Sequence, residues 1–306
     1  MSLVLIRKNA PTDAWVAALA QHCPDVPVHV WPDTGPVQDV EFVLSWAADP
    51  GVIASFPNLR AVFSLGAGAD HILHDATVPA HLPVARMIDP SLTAEMVQFV
   101  MLAVLSHTRR YRQLLAQQAQ ARWVRPESIG KRVGIMGLGG LGTACATALT
   151  GMGLSCVGWS RSPKDVPGVR SYAGDAGLAE FLAHSDILVC LVPATPALAG
   201  VLGRKTFDAL PRGAYVINVG RGEHLNEADL IDALQSGQLS GAWLDVFAKE
   251  PLPAEHVFWQ HPAITVTPHI ASATVPATAA AHVAENIRRA RAGQSLAGQV
   301  DRALGY

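Results

Sequence analysis

Three stretches of the 306-residue chain carry residue types at spacings that chemistry uses. The first is Val133-Gly-Ile-Met-Gly137-Leu-Gly139-Gly140-Leu141-Gly142, a GxGxxG pattern between an apolar run and a helical one. In such a pattern Gly137 permits a tight turn, Gly139 lets a pyrophosphate approach the backbone, and Gly142 permits close packing of helix on sheet. A dinucleotide's phosphates would then meet the positive end of the helix, where free N–H groups point outward. The second stretch is Trp159-Ser160-Arg161-Ser162-Pro163-Lys164. An NAD-binding unit places Asp or Glu here for the ribose hydroxyls, and this chain has neither before Asp165. It offers a guanidinium, two hydroxyls and an ammonium, which suit the 2′-phosphate of NADP; a solvated basic turn is the plain alternative. The third is a set of segments that each follow an apolar run: Asn218-Val219-Gly220-Arg221-Gly222, Asp245-Val-Phe-Ala-Lys-Glu250-Pro251 and Thr267-Pro-His269-Ile270. Ligands of open α/β sheets bind beyond the C-terminal strand ends, so these segments can converge there.

Elements must exist to bring such residues together. Leu3–Arg7, Val26–Val30, Glu41–Leu44, Ala61–Ser64 and Val84–Met87 read as strands, with helices at Ala14–Gln21 and Asp49–Ser55. A long helix opens near Ser91 or Thr93, and its apolar set from Met96 to Leu105 exceeds one narrow stripe. Such a helix joins two domains or packs on a partner subunit, which predicts a homodimer. After Gly130 six further strands are expected: Val133–Met136, Cys156–Trp159, Ile187–Leu191, Tyr215–Val219, Ala242–Val246 and Ile264–Thr267. A last helix, about Pro276–Ala292, is expected to pack back on the first domain. Strands alternating with helices imply parallel sheets. The expectation is two Rossmann-like or flavodoxin-like α/β domains: residues 1–98 plus 273–306, with residues 99–272 inserted between them.

Composition narrows the function classes. Half of the residues are apolar against 16% charged, enough to fill a sizeable core. A net charge of −2 argues against nucleic acid or an anionic membrane as partner. Cys23, Cys145, Cys156 and Cys190 form no CxxC pair, which disfavours a disulfide framework or a zinc site and suits a reducing compartment. His71 and His74 stand at i, i+3 spacing without a supporting ligand set, so no metal is expected. The N-terminus has no signal-peptide pattern, and Met96–Leu105 falls short of a membrane span. A soluble cytoplasmic protein is expected.

Over nearly its full length the chain resembles the D-isomer-specific 2-hydroxyacid dehydrogenase family, and more narrowly its glyoxylate/hydroxypyruvate reductase A branch. Beside the motifs above, the likeness rests on Val62-Phe-Ser-Leu-Gly-Ala-Gly-Ala-Asp70, Trp159-Ser-Arg161, Leu244-Asp-Val-Phe-Ala-Lys-Glu-Pro-Leu-Pro253, Trp259-Gln-His-Pro262, Gly298-Gln-Val-Asp-Arg302 and the final Ala-Leu-Gly-Tyr306. The resemblance implies a catalytic set of Arg221, Glu250 and His269. It also implies that Val192, Pro193 and Thr195 line the nicotinamide side with Val219 and Gly220, that Asp245 holds the carboxamide, and that Trp46 belongs to the substrate pocket.

These residue types fit NADPH-dependent reduction of a small 2-oxo acid such as glyoxylate or hydroxypyruvate. His269 can give the proton, Glu250 beside it favours the charged imidazole, and Arg221 can clamp carboxylate and carbonyl oxygens. Backbone N–H groups of Leu65, Gly66, Ala67 and Gly68 can form an anion-binding nest. Alternatives are a D-lactate or 3-phosphoglycerate dehydrogenase of the same family, or a dinucleotide-sensing corepressor on the same scaffold.

Overall fold

The computed structural model describes every residue except Asn9, Ser128, Gly130 and Lys131. Gly130, where the second series of elements is expected to begin, therefore lies outside the described residues. The chain divides into two compact units, Met1–Leu92 with Ala273–Tyr306, and Thr93–Ser272. The sequence expectation put the first division at residue 98, six residues later than this one.

The first unit opens with β1 (Ser2–Arg7), α1 (Asp13–His22), β2 (Val28–Val30), β3 (Val40–Trp46), β4 (Ala61–Ser64), α2 (Asp70–Leu73) and β5 (Val84–Ala85). Its five strands lie in the order β2-β1-β3-β4-β5, and all are parallel. The central strands are apolar on both faces because both are covered: Leu3, Val4, Leu5, Phe42, Val43, Leu44, Val62 and Phe63 are buried. The helix expected over Asp49–Ser55 is only a 3-10 turn at Ile53–Ser55. Pro50, Gly51 and Pro57 leave too short an uninterrupted run for an α-helix.

The chain passes from the first unit into the second along α3 (Pro90–Thr108), followed by α4 (Tyr111–Ala119). Pro90 opens α3, one residue ahead of Ser91 and three ahead of Thr93, at a position where a missing N–H costs nothing. The second unit continues with β6 (Arg132–Met136), α5 (Gly140–Gly151), β7 (Ser155–Ser160), β8 (Arg170–Ala173), α6 (Gly174–Ala183), β9 (Ile187–Cys190), α7 (Arg204–Ala209), β10 (Ala214–Asn218), α8 (Glu227–Gln235), β11 (Leu239–Leu244) and β12 (Ile264–Val266). Seven parallel strands lie in the order β12-β11-β10-β9-β6-β7-β8. The unpredicted strand is β8, an edge strand of polar and small residues held to β7 from Val157 to Ser160. Most of the apolar excess of α3 is spent within its own unit. Met96, Val100, Ala103 and Val104 are buried in a core with Val133, Ile135, Ile187 and Ile217, and Val97, Phe99 and Met101 pack against it. The Arg112 side chain ties α4 to the far sheet edge, donating to the carbonyls of Pro262 and Ile264 and to Thr265 Oγ1.

The chain then returns to the first unit as α9 (Pro276–Arg291), which buries Ala279, Ala280, Val283 and Ile287 and packs on α1. Beyond it, the Val300 N–H donates to Val84 O and the Arg86 N–H to Gly298 O, so the last segment covers the β5 edge.

Candidate active site

In each unit the strands are parallel, so all loops that follow strands leave from one edge. On the second unit that edge carries the six segments singled out in the sequence. Strand order reverses between β6 and β9, which places a crevice there. Gly137 leaves β6 with φ 113°, and its N–H donates to Trp159 O at 2.8 Å. A Cβ on Gly142 would lie 1.8 Å from Gly137 O, whereas one on Gly139 or Gly140 would meet nothing within 4 Å. The helix therefore seats on the turn only with glycine at 142, and the loop backbone stands open at Gly139 and Gly140. Leu141 is half-buried in the first turn of α5.

Ser160 ends β7 almost buried, with its hydroxyl donating to Ser162 O at 2.7 Å. That bond folds the turn so that Arg161, Ser162 and Lys164 are exposed. After β9, Val192 is buried while Pro193 and Thr195 are half-buried, and Thr195 precedes a short 3-10 turn.

Asn218 is fully buried at the end of β10. Its Oδ1 accepts from the Gly220 N–H at 3.2 Å, and its Nδ2 donates to Arg221 O at 2.9 Å. Val219 is buried beside it. The loop is thus shaped by a side chain, and Arg221 adds a bond from its own Nη1 to Gly220 O at 2.8 Å.

Asp245, fully buried after β11, organises the segment that carries the imidazole. Its Oδ1 accepts from Thr267 Oγ1 (2.7 Å) and the Ile270 N–H (3.0 Å), and its Oδ2 from the Ala271 N–H (2.8 Å). Three of about four acceptor positions of the carboxylate are thereby used inside the protein. The His269 N–H donates to Asp245 O at 2.8 Å, and His269 adopts φ 54°, a left-handed backbone uncommon outside glycine.

His269 Nδ1 lies 2.7 Å from Glu250 Oε2, and the Phe247 N–H donates to Glu250 Oε1 at 2.9 Å. A carboxylate only accepts, so Nδ1 carries the hydrogen that points at Glu250. Burial pushes the Glu250 carboxyl up. The bonds from His269 and Phe247, with the charges of His269 and Arg221, outweigh that and hold it below the usual carboxylate range. Arg221, Glu250 and His269 thus form one electrostatic set, in which a stable anion backs an imidazole beside a cation.

On the first unit, Trp46 ends β3 and lies against the loop after β4: a Cβ on Gly66 would fall 2.5 Å from the indole. The Trp46 ring also packs on His71, with centroids 4.7 Å apart. Of the four backbone donors expected to form a nest, two are engaged internally. The Leu65 N–H donates to Ser45 O, and the Gly66 N–H to Ser64 Oγ at 3.1 Å. Ser64 Oγ in turn donates to Gly68 O at 2.6 Å, and Thr274 Oγ1 donates to Leu65 O. The nest is narrowed to Ala67 and Gly68, whose N–H groups have no protein partner among the described residues.

Sequence reasoning gave no role of their own to Ser64, Asn218, Thr267 or His224. The first three are polar residues at or just past a strand end, and His224 closes a short 3-10 turn; such signals are too common to be specific. Among the described residues, no group of three or more His, Cys, Asp or Glu side chains is placed to hold a metal ion, and no helix is long and apolar enough to cross a membrane.

Residues 100–271 match the family model for the NAD-binding domain of D-isomer specific 2-hydroxyacid dehydrogenases. The glyoxylate/hydroxypyruvate reductase A of Serratia proteamaculans is 40% identical over an alignment of 314 positions, covering 100% of both chains. A D-isomer specific 2-hydroxyacid dehydrogenase from Xanthobacter autotrophicus Py2, solved with NADPH and MES, superposes with a TM-score of 0.95 at 39% identity, covering 100% of this chain and 99% of that one. The NADPH-dependent glyoxylate/hydroxypyruvate reductase of Sinorhizobium meliloti, solved with NADP and sulfate, gives 0.92 at 36% identity with both chains fully covered.

Proposed function

Since the chain belongs to the D-isomer specific 2-hydroxyacid dehydrogenase family, we propose that it reduces small 2-oxo acids with NADPH, taking glyoxylate to glycolate and hydroxypyruvate to D-glycerate. The observation that carries this reading is the Glu250–His269 pair at 2.7 Å in the same electrostatic set as Arg221. The residues fit the cofactor: the turn that only glycine at 142 allows, and the open backbone at Gly139 and Gly140, form a cradle for a pyrophosphate. Arg161, with Ser162 and Lys164, would hold the 2′-phosphate, while Ser160 presents no carboxylate to repel it. Val192, Pro193, Thr195, Val219 and Gly220 would line the nicotinamide side, and the remaining acceptor position of Asp245 would take the carboxamide. When bound, NADPH supplies the hydride.

The chain's own groups do the rest. Arg221 holds the carboxylate and carbonyl oxygens and stabilises negative charge that develops on the carbonyl oxygen. His269 delivers the proton from Nε2 to that oxygen, and Glu250 steadies the imidazolium before transfer. In the reverse direction the neutral imidazole takes the proton back. In the first unit, the Ala67 and Gly68 N–H groups are the donors open to a carboxylate, with Trp46 bounding the space beside them. The relatives solved with NADP and sulfate and with NADPH and MES support the cofactor choice.

The test is a panel of glyoxylate, hydroxypyruvate, pyruvate and phenylpyruvate assayed with NADPH and NADH. Turnover of the two smallest polar oxo acids with NADPH is expected. No turnover of any of them with NADPH overturns the reading, and binding of a protein partner that depends on cofactor occupancy would then favour the corepressor alternative. A homodimer is part of the same reading. Its surface would take in Leu102 on α3 and, in the segment that follows, Tyr111, Leu115 and Trp123, all of them exposed and Trp123 completely. Light scattering at micromolar concentration should give twice the chain mass; a monomer removes this part.

A further inference from the structure

We infer that His224 is a positioning residue that sets the place of Arg221 relative to the turn after β9. The inference rests on the proposed role of Arg221. His224 is 1% exposed and ends the short 3-10 turn Gly222–His224 that begins directly after Arg221. Its ring bridges two of the strand-end loops. Nδ1 lies 3.1 Å from the Arg221 backbone N, and Nε2 lies 3.1 Å from Pro193 O. Both partners have only one possible role: an amide N–H donates and a carbonyl accepts. The ring is therefore the neutral tautomer with its hydrogen on Nε2, and each nitrogen is used in the sense it requires.

The surroundings are built for this ring. A Cβ on Gly220 would fall 2.9 Å from Nδ1, so the residue preceding Arg221 leaves room for the imidazole only as glycine. Cys190 Sγ stands 3.7 Å from Nδ1, and burial pushes that thiol up to about 12, leaving it a protonated, uncharged neighbour. The His224 carbonyl accepts from the Leu202 N–H at 2.8 Å, which fixes the backbone from which the ring projects. Arg221 is consequently fixed at both faces of its peptide, its carbonyl by Asn218 Nδ2 and its N–H by His224. One imidazole couples the cation that would hold the oxo acid to the backbone that would line the nicotinamide.

The experiment compares His224→Asn, His224→Gln and His224→Leu in the full-length enzyme. Asn keeps an acceptor near the Nδ1 position and can still receive the Arg221 N–H. Gln keeps a donor for Pro193 O but leaves that N–H unmet, and Leu satisfies neither. Misplacing a substrate-holding group by about an ångström costs roughly a hundredfold at most, so a rise of about tenfold in KM for the oxo acid is expected in the Leu and Gln variants. The same variants should bind oxalate, a non-reacting mimic of the oxo acid, about tenfold more weakly in the presence of NADPH. His224→Asn should stay within about threefold of wild type in both readouts. NADPH affinity and melting temperature should be alike in Asn and Gln. Equal losses in Asn and Gln, or a rise in oxo-acid KM that tracks losses of NADPH affinity and thermal stability, overturn the inference, because a packing role alone would produce them. Should the Leu variant not fold, the Asn–Gln contrast decides. Wild-type turnover with no effect of His224 removes only this inference; absence of wild-type turnover removes the proposed function, and the inference with it.

Discussion

Two glycine-rich loops leave two parallel sheets in the same way and end differently. Gly137–Gly142 runs into α5, a twelve-residue helix, with open backbone at Gly139 and Gly140. Leu65–Gly68 runs towards α2, only four residues long, and is tied down from within by Ser64, Ser45 and Thr274. The first can use a helix N-terminus and several free amides to attract a doubly charged pyrophosphate. The second has two open amides beside an indole, donors enough for a single carboxylate at most. The difference teaches that a glycine pattern alone does not say what a loop binds. The length of the helix behind it and the number of amides still open do. Titratable chemistry follows the same division, with Arg221, Glu250 and His269 all in the second unit.

If that division holds, the largest effect comes from the proton donor. His269→Asn is expected to lower turnover about 10²- to 10⁴-fold while NADPH binding, measured by fluorescence, changes little. Asn tolerates the left-handed backbone at φ 54°, so the loop should survive the change. Near-normal turnover in both directions would break the assignment.

Glu250→Gln should act less severely and through pH. Glu250 is held below the usual carboxylate range against the pull of burial, so it is an anion wherever the enzyme works. Its charge favours the imidazolium, which reduction consumes. Without it the proton is held less firmly, and reductive efficiency should be lost at lower pH than in wild type. Oxidation of the hydroxy acid, which needs the neutral ring, should gain on the acidic side. Coincident pH profiles for both enzymes would count against the pairing.

Smaller still is the effect at the exposed turn after β7. Arg161→Ala should cost about tenfold in kcat/KM with NADPH, the lower part of the range for bonds to a charged group, and little with NADH. High salt should shrink the difference, since exposed charges are screened. Ser160→Asp should penalise NADPH by repulsion. Equal wild-type efficiency with the two cofactors would sink the reading of this turn. The smallest effect sharpens the contrast between the loops: Ser64→Ala removes the hydroxyl that ties Gly66 to Gly68. KM for the oxo acid should rise about two- to tenfold with NADPH affinity unchanged, the worth of one net hydrogen bond. A change in NADPH affinity instead would show that the two loops do not act separately.

Much of this was legible because it rests on strong local patterns. GxGxxG between an apolar run and a helix marked the turn at Gly137, and Arg221, Glu250 and His269 each followed a run that is a strand. What stayed hidden depends on tertiary context. The edge strand β8 is Arg-Ser-Tyr-Ala, with no apolar alternation to announce it. Ile53–Ser55 lost its expected helix to nearby prolines and a glycine. The excess apolar face of α3 suits either a link between domains or a partner surface, and only the fold shows that most of it is covered by β6, β9 and β10 of its own unit. Which amides of Leu65–Gly68 remain open turns on a serine hydroxyl one residue earlier, and that cannot be seen in spacing.

The return of α9 to the first unit has a consequence for the newborn chain. The second unit is one continuous stretch, Thr93–Ser272, and can fold as soon as it has left the ribosome. Met1–Leu92 emerges first but must wait for the helix that covers α1, for Thr274 to fasten Leu65, and for Val300 to close the β5 edge. At roughly 5–20 residues per second, the intervening stretch of about 180 residues delays that completion by some ten to forty seconds. For that interval α1 lacks the helix it packs against in the finished molecule. The earliest-made part of this protein is thus the last to become native, and its vulnerability to aggregation or to a protease is set by the speed of translation.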